Sequence, residues 1–174
     1  MKPLRIGIAG LGTVARGVLD LFTADAAHLE RQAGRPLRLV RVASRTPRPE
    51  ADLGGAEFST DLATLHQDDV DVVVELIGGE DRAVRLVRDA LSRRQSVVTA
   101  NKAVIARFGD ELLAGAAQQG VGLGFEAAVA GGIPIIGSLT RGLAARRGQT
   151  GAGIINGTAN YILTGMSGQG PRLP

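Results

Sequence analysis

A glycine turn near the N-terminus constrains the fold more than any other feature of the sequence. The stretch IGIAGLGTVARG, residues 6–17, sets Gly10, Gly12 and Ala15 in the spacing G-x-G-x-x-A. It joins the apolar run LRIGIAG (4–10) to a segment with Val14, Val18, Leu21 and Phe22 near helical spacing. The first glycine of such a turn permits a tight exit from a strand. The second lets the backbone approach a pyrophosphate, and a small third residue lets the helix pack on the strand. Free N–H groups at Thr13, Val14 and Ala15, at the positive end of the helix, suit phosphate oxygens. These residues predict a βαβ unit that holds a dinucleotide through Gly10, Leu11, Gly12, Thr13 and Val14. The same spacing also fits a tight turn in an α/β protein without a ligand.

The rest of the chain supports the unit. Strands are expected over 37–44, 70–79 and 96–101, with a further strand beginning within 121–129. Helices are expected over 13–34, 61–67, 80–95, 106–120 and 133–147. Gly34 is a plausible stop for the first helix, and Asp61 or Thr60 a cap for the second. Residues 45–60, rich in proline and glycine, read as a loop. An extended segment over 151–157 and a helix starting at 158 complete the pattern. Strand–helix alternation of this kind means a parallel sheet covered on both faces. The predicted architecture is an α/β, Rossmann-type doubly wound parallel sheet. Residues 1–130 form its dinucleotide-binding domain, and 131–174 form a hinge and the incomplete start of a second, substrate or catalytic domain.

Composition removes several function classes. There are no cysteines, so disulfides, thiolate nucleophiles and Cys-zinc sites are excluded. No apolar run approaches the ~20 residues of a membrane span. The N-terminal run reads as a strand, not a signal peptide, so a cytoplasmic location is the default. The pI of about 10.1 accompanies a net charge of only +3. At 3% aromatics the chain cannot supply stacking platforms for single-stranded nucleic acid, so neither nucleic acid nor membrane is an expected partner.

Two positions bear on the choice and use of the dinucleotide. An acidic residue ending the second strand would hold a ribose 2′-hydroxyl, but that strand ends VASRT. Arg45 there can pair with a 2′-phosphate, which favours NADP over NAD. The second position is Lys102. The chain has 18 arginines and two lysines, Lys2 and Lys102, so one internal cation alone is written as Lys. It follows the strand expected over 96–101, on the rim where ligands of open α/β sheets lie, with Thr99 and Asn101 beside it. An ammonium is a compact donor, whereas guanidinium is a bulky fork, so a site holding a substrate oxygen beside a hydride donor has reason to exclude Arg. The plain alternative is a lysine at a helix entry. Glu75 ends an apolar strand and is read as orienting a group at the crevice, with no partner named. His28 and His66 lack metal-ligand spacing and read as surface or core-edge residues.

The blocks GIAGLGTVARGV, VVVELIGG, VVTANKAVIA, FEAAVAGGIPII and GIINGTANYIL occur in this order and reach residue 163. In that order and combination the sequence resembles homoserine dehydrogenase. The resemblance implies NAD(P)H-dependent interconversion of L-aspartate 4-semialdehyde and L-homoserine, in threonine and methionine biosynthesis. It implies that Gly10 to Val14 bind cofactor phosphates, with Arg45, Thr99, Asn101 and Lys102 also at the cofactor. Lys102 is the implied catalytic residue and a substrate contact, with Asn156 and Thr158 at the edge of the substrate pocket. Asn156 or Thr158 equally fits a plain helix cap. The resemblance also implies a sodium ion held by Glu126, Val129, Gly131 and Ile133, largely through backbone oxygens. Those residues also suit an ordinary glycine-rich turn before Pro134. A homodimer is implied for the full-length family.

The family's later substrate-binding Glu and its proton-transferring Asp and Lys find no match here. The expectation is therefore a nucleotide-binding half whose cofactor binding survives better than turnover, with IPIIGSL and NYILTGM prone to association. The rival reading is a non-catalytic NAD(P)-binding fragment or nucleotide-sensing module. Aldehyde-oxidising dehydrogenases on the same sheet need a cysteine nucleophile and are excluded.

Overall fold

A computed structural model describes residues 1–48, 50–142, 161–164 and 167. By internal contacts the chain divides into Met1–Ile133 and Pro134–Pro174.

The first unit is the predicted doubly wound sheet. Its strands are β1 (Leu4–Ala9), β2 (Leu37–Ala43), β3 (Glu57–Ser59), β4 (Val72–Glu75), β5 (Ser96–Thr99) and β6 (Leu123–Gly124). They lie in the order β3-β2-β1-β4-β5-β6 and every pairing is parallel. The order reverses at β1: the chain runs outward through β2 and β3, then returns to place β4 on the other side of β1. A crevice opens at such a reversal, beyond the carboxyl ends of the strands.

The helices are α1 (Thr13–Ala24), α2 (Ala26–Ala33), α3 (Asp81–Ser92) and α4 (Lys102–Gln119). One apolar cluster packs α1 on the sheet through Ala15 and Leu19 against Ile6, Ile8 and Val42. The other packs α3 and α4 on the opposite face against Val73 and Val97. The repeat of Ala83, Val84, Leu86, Val87, Ala90 and Leu91 explains the hold of α3, since all six are buried along one side. Each buried Val or Leu there contributes about 1.5–3 kcal/mol of transfer free energy.

Several elements differ from the sequence reading. The first helix breaks at Asp25, whose backbone leaves the helical region (φ −123°, ψ 23°). Thr23 bonds back to Leu19 O at 3.2 Å, and Asp25 O accepts from His28 and Leu29 to start α2. Short polar residues that compete for backbone partners favour such a junction. Gly34 does end α2, in the left-handed region at φ 66°. β3 lies inside the expected loop 45–60, because three residues are too few to show a strand period. The segment after β3 is a single 3-10 turn, Leu62–His66, capped by Asp61 Oδ1 from Ala63 N–H at 2.9 Å. α4 begins at residue 102, not 106, because Asn101 caps it through Val104 N–H. The segment 121–129 supplies only the two-residue β6 and a 3-10 turn, Glu126–Ala128.

In the second unit, Ile135–Gly137 form one α-turn and Ser138–Gly142 a wider π-type turn. The expected helix over 133–147 is thus irregular as far as it is described. The segment expected over 151–157, with Asn156, lies outside the described residues, as does Thr158. No helix among the described residues is long and apolar enough to cross a membrane.

Candidate functional site

The crevice at the strand-order reversal holds a cleft of about 310 Å³. Three loops build it, each leaving the carboxyl end of a strand. Gly10, Leu11 and Gly12 follow β1, Ser44, Arg45, Thr46 and Arg48 follow β2, and Leu76, Ile77 and Gly78 follow β4. Leu62 and Arg82 complete the lining.

The glycine turn behaves as its spacing predicts. Gly10 has φ +104°, and a Cβ there would stand 2.8 Å from Leu76 O. Its N–H donates to Ala43 O at 2.8 Å, so the turn is drawn against both neighbouring strands. Gly12 has ordinary extended backbone at φ −80°, and a Cβ there would meet no atom within 4 Å. Gly12 therefore keeps the space above the turn open. It is the N-cap of α1, and among the described residues no side-chain cap bonds that helix end. The first turn of α1 carries no acidic residue, so its N–H groups and positive dipole end remain available to a phosphate. A narrow turn, an uncapped helix end and an open Cβ position together fit a pyrophosphate.

The cleft is positively charged. Arg45, Arg48 and Arg82 line it, and among the described residues no carboxylate does. Arg45 is exposed at its mouth. Arg48 lies 3.8 Å from Glu50 Oε1, outside the lining. Sequence reasoning finds Arg45 but misses Arg48 and Arg82. Among 18 arginines neither carries a local signal, and Arg82, in the first turn of α3, lines the cleft together with residues that follow β2.

On the same rim, β5 delivers the remaining sequence-predicted groups. Thr99 is fully buried, and its hydroxyl donates to Glu75 Oε2 at 2.5 Å. Asn101 N–H donates to Thr99 Oγ1 at 3.0 Å. The Asn101 amide donates to Gly79 O at 2.7 Å and to Ile77 O at 3.4 Å, while its oxygen caps α4. Both side chains are thus committed to protein partners. Lys102 is exposed as the first residue of α4. A cation at that end opposes the helix dipole, a cost with no structural return at an exposed position.

Glu75 is the one buried carboxylate among the described residues. Burial pushes its pKa up from the ordinary carboxylate value. The Thr99 hydroxyl and the Ile77 N–H, 2.9 Å from Oε1, pull the other way.

The residues read as a cation site surround a tight bend. Ala130 and Gly131 both take left-handed backbone, at φ 57° and 60°, and the half-buried Glu126 precedes them. Among the described residues no three His, Cys, Asp or Glu side chains gather to hold a metal.

Comparison with known proteins places this geometry among close likenesses. Residues 10–126 match the family described as homoserine dehydrogenase, NAD binding domain. A homoserine dehydrogenase of Pseudomonas aeruginosa is 45% identical over 100% of the chain, and one of Bacillus subtilis 42% over 95%. The chain spans 40% and 39% of their lengths. The crystal structure of a homoserine dehydrogenase from Thiobacillus denitrificans superposes with a TM-score of 0.86 at 47% identity, over 95% of this chain and 39% of that one. A hyperthermophilic archaeal homoserine dehydrogenase in complex with NADPH superposes at 0.65 with 26% identity, over 79% of this chain and 48% of that one.

Proposed function

The chain belongs to the homoserine dehydrogenase family through its NAD-binding domain, and from that premise we propose that it binds NADPH and serves the reduction of L-aspartate 4-semialdehyde to L-homoserine. The observation that carries the proposal is the cleft at the strand-order reversal, with its glycine turn, uncapped helix end and three arginines. Gly10 to Val14 would hold the cofactor's pyrophosphate and Arg45 its 2′-phosphate, a pairing that would prefer NADP(H) to NAD(H). Arg48 and Arg82 add positive charge to the same cleft. Thr99 and Asn101 belong to the rim toward the nicotinamide end, which their hydrogen bonds hold in shape.

When bound, the cofactor would supply a hydride to the aldehyde carbon. Lys102 acts on the substrate oxygen, which takes its proton from solvent as the alcohol forms. Its ammonium, held at the start of α4 and exposed to the rim, donates a hydrogen bond to the carbonyl and steadies the charge that grows there. Asn156 and Thr158 belong to the substrate side of the same proposal. Glu126 and the backbone oxygens of Val129, Gly131 and Ile133 would hold a sodium ion, a hard cation suited to oxygen ligands. Homodimer assembly and a cytoplasmic setting complete it.

Titration of NADPH into the chain tests the binding claim by fluorescence, with saturation expected and absence of binding refuting it. A chimera tests the reaction: this chain replaces the matching part of the Pseudomonas aeruginosa enzyme. Loss of NADPH on adding L-aspartate 4-semialdehyde is expected, and its abolition by Lys102→Ala. Unchanged turnover in that variant would remove Lys102 from the chemistry.

A further inference from the structure

Glu75 stands where one carboxylate can tie two functional segments together. Oε1 accepts the N–H of Ile77, which belongs to the loop that walls the cleft. Oε2 accepts the hydroxyl of Thr99, across 24 residues of sequence. Thr99 Oγ1 in turn accepts the N–H of Asn101, and the Asn101 side chain returns to Gly79 and Ile77 of the first loop. The bonds form a closed ring: Glu75, Ile77, Asn101, Thr99, Glu75. Both Glu75 and Thr99 are fully buried, so water cannot replace a lost bond without entering the core. Asn101 also caps α4, so the ring ends one residue before Lys102.

We propose that Glu75 is a positioning residue: through Thr99 and Ile77 it locks the cofactor-cleft wall at Leu76–Gly79 to the start of α4. The placement of Lys102 and the shape of the cleft are then one rigid unit. An apolar residue at 75 would fill the same core volume, but it could not accept two hydrogen bonds from segments on different strands. The inference rests on the role proposed for Lys102, but the ring itself stands on the geometry. An exposed ion pair, Arg107 Nη1 with Glu80 Oε1 at 2.5 Å, also spans the loop and α4. Surface pairs hold little, so the buried ring carries the constraint.

Lys102 labelling gives the test a clean readout, because Lys2 is the only other lysine. The full chain is acetylated with limiting reagent, and the Lys102-to-Lys2 rate ratio is read by mass spectrometry without cofactor. Thr99→Val cuts the ring while keeping the side-chain shape, and Thr99→Ser restores the hydroxyl. Glu75→Gln is the companion variant. The expected result is a ratio changed at least twofold in Thr99→Val and Glu75→Gln, and wild-type in Thr99→Ser. Amide exchange should quicken together at Ile77 and at Asn101–Val104, and not at the opposite end of the sheet around Gln95. A ratio that stays constant in both ring-cutting variants, or Thr99→Ser behaving as Thr99→Val, overturns the proposal. So does an equal change in Arg107→Ala, which would assign the tie to the surface pair. Failure of the cofactor reading would show separately, as wild-type chain that does not bind NADPH.

Discussion

Alanine at Gly10 and alanine at Gly12 should fail in opposite ways. At Gly10 the backbone has φ +104°, and the new Cβ would stand 2.8 Å from Leu76 O and 3.0 Å from Leu76 C. Those are backbone atoms held by Leu76 N–H to Ala9 O at 2.9 Å, so they cannot swing aside as a side chain would. Dihedral strain of about 1–3 kcal/mol and a comparable overpacking cost together give a loss of roughly 2–6 kcal/mol. With a urea m-value of about 2 kcal/mol/M, the midpoint should fall by roughly 1–3 M. At Gly12 the backbone is already acceptable to alanine and the Cβ meets nothing within 4 Å. Reduced freedom of the unfolded chain offsets the poorer N-cap, so stability should stay within ~0.5 kcal/mol of wild type. The methyl group would instead occupy the space assigned to the pyrophosphate. NADPH affinity should drop about tenfold or more, a loss near 1.4 kcal/mol. Urea titration and NADPH fluorescence on both variants decide the matter. Equal destabilisation by the two substitutions would refute the turn geometry. Wild-type NADPH binding by Gly12→Ala would refute the placement of the pyrophosphate.

Other expectations follow from the same geometry. Arg45→Ala should weaken NADPH binding by roughly tenfold, the scale of a charge-assisted contact, and leave NADH nearly unchanged; equal losses for both would remove Arg45 from the 2′-phosphate. Lys102→Ala should raise the urea-derived stability by about 0.3–1 kcal/mol, since it relieves a cation at a helix N-terminus; a loss of stability would mean that Lys102 is structural. Two carboxylates should titrate in opposite senses. Arg5 holds Asp71 below the usual carboxylate range, by a hydrogen bond from its guanidinium at 2.6 Å. Its stabilisation is therefore complete above the unfolded value near pH 4 and lost as pH falls through the lower folded value. Glu75 is raised by burial, so its contribution is complete at acid pH, below its unfolded value, and lost as pH rises through the raised one. Stability measured against pH should show the acid-limb slope shrinking in Asp71→Asn. The opposing slope should shrink in Glu75→Gln, and parallel curves for either variant and wild type would contradict the assigned causes.

Much of the site is legible in the amino-acid sequence. Gly10, Gly12 and Ala15 announce their turn by spacing, and Lys102 stands out because nearly every other cation is Arg. Arg45 can be placed because the residue after the second strand has a fixed position in such units. Arg48 and Arg82 cannot, since proximity across the cleft leaves no local pattern. β3 is hidden by its length, and the break at Asp25 by apolar spacing that continues past it. Glu75 is visible as an odd carboxylate ending an apolar strand, but its partner Thr99 reads from sequence as a cofactor contact.

The sequence by itself determined what depends on neighbours within a few residues: the glycine turn, the alternation of strand and helix, and hence the parallel sheet and its rim. Those follow from backbone sterics and from periods of two and 3.6, which a short window contains. Tertiary structure decided what depends on register between distant strands. The pairing of β4 with β5 sets Glu75 opposite Thr99, and the packed fold brings Arg82 to the same cleft as the residues that follow β2. A one-residue slip of either strand would turn its side chain to the other face of the sheet and open the ring. The dual bond to Glu75 is therefore a property of the packed sheet, written in no segment of the chain alone.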